Sequence, residues 1–143
     1  MKNPKDFFNI ISYLQYPFIL IGAYYAFHPY FNEFVTIWSD LNNVLIYFGL
    51  GISFSTLQDT TKTQNKFSKR IWENPQKGKR MIIFMTFFCL SLLTIGMFSM
   101  YITQNKILKE IAFGLIVLGI GYISFLKAAI EIFENHRKDK KLK

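Results

Sequence analysis

The chain has 143 residues, 51% of them hydrophobic and 18% aromatic, and a formal net charge of +8. With 16 Phe, 8 Tyr and a mean hydropathy of +0.20, it is too apolar for a basic soluble domain or a disordered tail. Its one cysteine excludes a disulfide scaffold and a Cys-x-x-Cys redox site. The apolar residues fall in long blocks with the charges between them. That pattern predicts an all-α polytopic membrane protein, a single transmembrane domain over 1–143. The expected architecture is four transmembrane helices in two antiparallel hairpins, packed as a left-handed four-helix bundle.

The first uncharged block, 10–27, would be about 27 Å long as a helix, close to the hydrocarbon thickness. Pro17 predicts a local kink within it, and Pro29 predicts its end. Gln15 and several bulky Tyr lie in the block, and no small-x-small cleavage site is obvious. The block is therefore expected to stay as a span and not to act as a signal peptide.

The second span is expected over 37–57. Its apolar part, 44–57, is short, about 21 Å. The extension back to 37 brings in Trp38, Asp40, Asn42 and Asn43, which suit the headgroup level. A basic loop follows over 58–80. The third span, 81–103, offers only Thr, Ser and Cys as polar side chains, so it has no face for water. The fourth runs over 107–133, with Lys127 near its end, where a lysine stem can snorkel. Glu131, one turn on, is its expected partner. A basic tail, 134–143, closes the sequence.

Four spans would put the N-terminus, the central loop and the tail on one side. All of the 17 basic residues except Lys106 and Lys109 then fall on that side. The other side holds those two against Glu33, Asp40 and Glu110. The positive-inside rule places both termini in the cytoplasm. Topology alone accounts for the basic charge, so no nucleic-acid partner is expected.

In lipid, small and polar residues hold helices together. Stripes at spacings of three and four occur in all four spans. They are Ser12, Gln15, Ile19, Gly22, Ala26; then Asn42, Ile46, Gly49, Ser53, Thr56; then Cys89, Leu92, Gly96, Ser99, Thr103; and Gly114, Val117, Gly121, Ser124, Ala128. The predicted packing seam is Gly22, Gly49, Ser53, Gly96, Ser99, Gly114, Gly121 and Ser124. The two halves also share landmarks. Asn3-Pro4 matches Asn74-Pro75, Ile21-Gly22 matches Ile95-Gly96, and Gly49-x-Gly51 matches Gly119-x-Gly121. A duplication would relate the halves by an axis along the membrane normal.

In the central loop, Phe67 and Ile71 lie four apart beside Trp72, among Lys66, Lys69 and Arg70. A short helix there would lie in the headgroup plane, with Phe67 and Ile71 facing down and its cations meeting anionic lipid or an acidic partner. His28 and His136 would lie on opposite faces, each a solvated or interfacial residue, and cannot share a metal or haem. Cys89 is expected to be a small packing residue.

No catalytic, cofactor or metal residues are expected. Small multidrug exporters need a glutamate in the first span, and there is none. Quinone-linked thiol oxidoreductases need cysteine pairs, and lipid-headgroup transferases need clustered aspartates; both are missing. The leading expectation is a non-enzymatic scaffold or accessory subunit of a larger membrane complex. Its partners would be membrane lipids, including anionic headgroups, and other integral membrane proteins; a homo-oligomer is an option. The alternative is a small oligomeric channel or transporter, lined by Ser12, Gln15, Ser53, Thr56, Ser99 and Ser124. Richness in Phe, Tyr, Ile, Asn and Lys with few Arg points to an AT-rich bacterial genome, and so to the bacterial cytoplasmic (inner) membrane. A reporter fused after Lys143 is expected to read as cytoplasmic; an external reading would break the four-span topology.

Overall fold

The computed structural model describes residues 4–58 and 66–140, with side chains over 6–58 and 69–139. The described residues are helical, without strands. The helices are α1 (Pro4–Ser12), α2 (Gln15–Phe27), α3 (Ile37–Ser55), α4 (Lys66–Trp72), α5 (Pro75–Tyr101) and α6 (Lys106–His136).

Three stretches are long and apolar enough to cross a membrane: Asp6–Phe31 of 26 residues, Pro75–Tyr101 of 27 and Lys106–His136 of 31. The first comprises most of α1, all of α2 and a 3-10 turn over His28–Phe31. α3 is not among them. It has 19 residues, but Asp40, Asn42 and Asn43 occupy its first two turns.

The break in the first block lies before Pro17. Tyr13 and Leu14 interrupt the helix, and their N–H groups donate to Ile10 and Ile11 in tight 3-10 fashion, at 3.1 and 3.0 Å. Proline removes its own bond to the carbonyl four residues back, and its ring clashes there. That carbonyl is Tyr13's, so the distortion falls one turn upstream. Pro29 does not stop the chain at once; it sits in the first turn of the 3-10 segment. The chain then reverses before α3 with Glu33 and Phe34 at left-handed φ values of 49° and 63°.

α5 begins six residues earlier than the sequence pattern suggested. Asn74 and Pro75 both break α4 and start α5, because the Asn74 side chain accepts from the N–H groups of Gln76 and Lys77, at 3.0 and 3.1 Å. Pro75 at the first helical position loses no bond there. Asn105 caps α6 the same way, through Ile107 and Leu108 at 3.0 and 3.2 Å.

The long helices touch in the order α2–α3–α6–α5. α2 and α5, at the ends of this row, form no comparable interface. α2 runs antiparallel to α3: Gly51 meets Gln15 and Ile19, while Gly22 meets Tyr47 and Phe48. α5 runs antiparallel to α6: Gly119 meets Leu93, Gly96 meets Leu115 and Ile116, and Gly78 meets Phe133. α3 and α6 run parallel, because Asn42 meets Gly114 and Gly49 meets Val117, Leu118 and Gly121. Gly49 thus lies opposite a segment that straddles Gly119, its counterpart in the second half. Gly22 and Gly96 each contact the turn just before Gly49 and Gly119 respectively. At these glycines the contacts of the two halves correspond to within a turn.

The α3–α6 contact is backbone to backbone. A Cβ on Gly49 would stand 2.8 Å from the Leu118 Cα. A Cβ on Gly121 would collide with the Gly49 carbonyl oxygen. Neither obstacle is a side chain that could swing away. Gly121→Val is expected to lower stability by about 3 kcal/mol or more, because the helices must separate. Thermal unfolding in mild detergent checks this; an unchanged midpoint would refute it.

Candidate functional site

The seam glycines and serines divide by role. Gly49, Gly114 and Gly121 form the α3–α6 crossing, where the Gly114 N–H donates to the Asn42 side-chain oxygen at 2.7 Å. In lipid an unsatisfied amide costs several kcal/mol, so such a bond ties helices together. Gly96 packs on α6, where an added Cβ would stand 2.8 Å from the Ile116 side chain, and Gly22 packs on α3, where an added Cβ would stand 2.6 Å from the Phe48 ring. Ser99 is fully buried, and its hydroxyl has no partner among the described residues. Ser124 is half-buried on α6.

Ser53 turns inward and donates to the Gly49 carbonyl at 2.9 Å. Ser12 and Thr56 likewise donate to carbonyls of their own helical turns, those of Asn9 and Ser53, each at 2.7 Å. Gln15 is buried where α2 meets α3. Cys89 is buried as expected, its thiol 3.6 Å from the Gly119 carbonyl.

At the end of the row that holds the 29–36 connection, the polar residues gather into a cluster. Asp40 is buried within it. Thr36 donates its hydroxyl to the Asp40 carboxylate at 2.6 Å, and the same oxygen lies 3.0 Å from His28 Nδ1. His28 is therefore a partner of Asp40 and not a solvated histidine. The Asn32 amide nitrogen lies 3.2 Å from His28 Nε2, and the Tyr24 ring packs 5.5 Å away. This cluster ties the end of α2 to the start of α3. The sequence signal was faint: both residues flank one short connection.

At the opposite end, α4 turns part of its apolar surface into the protein. Trp72 is buried against Phe133, with ring centroids 6.5 Å apart, and shares a small core with Met85 and Ala129. Ile71 is half-buried against the same core. Lys69 and Arg70 point outward. The side chains of Lys66 and Phe67 fall outside the described residues. Gly78 makes the core possible, because a Cβ there would strike the Phe133 ring. The aromatic pair prefers this dry contact because it buries area on both rings.

Ionic groups then clamp α4 to the tail. The Lys138 ammonium lies 2.8 Å from the Glu73 carboxylate, and the Lys138 N–H donates to the Glu73 carbonyl at 3.2 Å. Lys69 approaches the same carboxylate at 3.7 Å. The Arg137 guanidinium lies 5.7 Å from the Phe133 ring centre and reaches Glu134 at 3.2 Å. Lys127 and Glu131 form the expected pair at 3.5 Å, but both are exposed, so it adds little stability.

No set of three metal-ligating side chains gathers among the described residues. No family model matches the chain, and no curated protein and no solved structure shows a significant similarity to it.

The Glu73 clamp should respond to acid. Lys138, and then Lys69, hold the Glu73 carboxyl below its ordinary value of 4.5, against the opposing effect of partial burial. A lowered carboxyl value means that the stabilisation is full above the ordinary value. It is lost as pH falls through the lower, folded one. Trp72 emission in a Trp38→Phe background is expected to shift to the red on acidification, at a pH below the ordinary glutamate value of 4.5. Lys138→Ala should move that shift to higher pH; an identical pH profile would count against the clamp.

Proposed function

We propose that the chain is a non-enzymatic, multi-pass protein of the bacterial cytoplasmic membrane, a scaffold or accessory subunit within a larger membrane complex. In this reading α3 is a fourth span, the spans form two antiparallel hairpins with left-handed packing, and both termini and the basic loop are cytoplasmic. The open row of helices is the observation that carries it. The edge helices present bare aromatic and aliphatic faces: Tyr16, Leu20, Tyr24 and Phe27 on α2, and Phe84, Phe87, Leu90, Phe98 and Tyr101 on α5. Only 17% of the most apolar window is buried in each of the Asp6–Phe31 and α5 stretches. A closed bundle has spent its packing surfaces; an open one has two edges that neighbouring membrane helices can cover.

The satisfied polar groups support α3 as a span. Polar side chains are tolerated in membranes when they face other helices and find partners there. Asp40 and Asn42 both have partners. The expected outcome is co-purification with other integral membrane proteins after cross-linking in native membranes and extraction in mild detergent. A lone, monodisperse monomer by mass spectrometry would overturn the scaffold reading.

A further inference from the structure

The charges around the α4–α5 step do not balance. On α4, the last turns of α6 and the tail, each described carboxylate is ion-paired. Glu73 holds Lys69 and Lys138, Glu131 holds Lys127, and Arg137 serves both Glu134 and Asp139. Arg70, Lys77, Lys79 and Arg80 are exposed and have no carboxylate partner among the described residues. Helix stability does not explain them either. Three of the four stand in the first turns of α5, the end of a helix where cations are disfavoured.

The surface beneath these cations is apolar and bare. One turn on from Lys79 is Ile83, 68% exposed. One and two turns on from Arg80 are Phe84 and Phe87, 61% and 71% exposed. We propose that Arg70, Lys77, Lys79 and Arg80, with Ile83, Phe84 and Phe87 beneath them, form a binding surface for an anionic phospholipid. The lipid phosphate lies among the cations, and its acyl chains lie along the exposed face of α5. An acidic protein segment in water would use the cations and leave the rings beneath them uncovered; a phospholipid matches both halves. The inference moves the lipid contact away from Trp72, whose ring is committed to Phe133. It rests on the membrane placement proposed above and on no protein partner.

The test uses the full chain in neutral detergent, titrated with equimolar phosphatidylglycerol and phosphatidylcholine and read by native mass spectrometry. Phosphatidylglycerol adducts should dominate. Arg80→Gln or Lys77→Gln alone should reduce the phosphatidylglycerol preference about fivefold, as expected for one cation near an anionic headgroup. Neutralising all four should abolish it. Lys127→Gln, outside the surface, should leave it unchanged. Circular dichroism confirms that each variant is folded; if the fourfold variant is not, the single variants decide. Equal retention of both lipids, or undiminished preference in folded variants, would overturn the proposal. So would displacement of the lipid by inorganic phosphate alone, because it would show that the apolar half contributes nothing. Failure of the wild-type chain to float with lipid vesicles would instead overturn the membrane placement itself.

Discussion

The approach of α3 to α6 is the constraint on which the remaining packing depends. In a membrane, lipid tails solvate an apolar side chain as well as another helix does, so large side chains alone do not specify a partner. Close backbone contact and buried hydrogen bonds do. Gly49 and Gly121 bring the two backbones together, and Asn42 bonds the Gly114 N–H. α2 then leans on α3 through Gly22 and Gly51, and α5 leans on α6 through Gly96 and Gly119. Each outer helix packs extensively against one inner helix. Separating α3 from α6 would divide the row in two.

The two ends of the row use a different kind of contact from its middle. At one end, Thr36 and His28 satisfy Asp40 across the reversal between α2 and α3. At the other, Lys138 and Glu73 join the tail to α4, and Trp72 meets Phe133 beneath them. Ionised and strongly polar groups carry less desolvation cost near the ends than at the centre of a membrane-embedded helix. The backbone contact therefore sits in the middle and the polar ties at the margins. The aromatic stacking of Tyr25 on Tyr47, with ring centroids 5.6 Å apart, bridges these regimes between α2 and α3.

Much of the fold was legible in the sequence, and the reason differs from element to element. α5 and α6 each contain a long uncharged run, and its hydropathy marks them unaided. The glycines of the seam were legible because small residues at a spacing of three and four have one main use in lipid. The break before Pro17 was half legible: proline announces a distortion, but the distortion appears at the carbonyl it opposes, one turn earlier. The burial of Trp72 was not legible, because a tryptophan among lysines carries no sign of an inward partner. Its true partner, Phe133, lies far along the chain, and no local pattern encodes that distance. His28 and Asp40 escaped for a related reason. Each is ordinary by itself, and only the tight turn at Glu33 and Phe34 brings them together. That α3 and α6 would form the contact between the two halves was not legible, since all four stripes look alike; only the structure shows that the row stays open.

α3 shows how sequence distance and membrane chemistry interact. Its first two turns carry Asp40, Asn42 and Asn43, so by itself it is a poor solute in hydrocarbon. Asp40 finds its partners locally, from the preceding connection. Asn42 does not: its bond is to Gly114, on the far side of α4 and α5. The Asn42 oxygen is satisfied only once α6 stands beside α3. In the proposed four-span reading, the second half of the chain thus supplies a partner for a polar group of the first half. That reading gives a physical reason for α3 and α6 to form the inner pair of the row: the α3–α6 contact offsets part of the cost of placing the most polar helix in lipid.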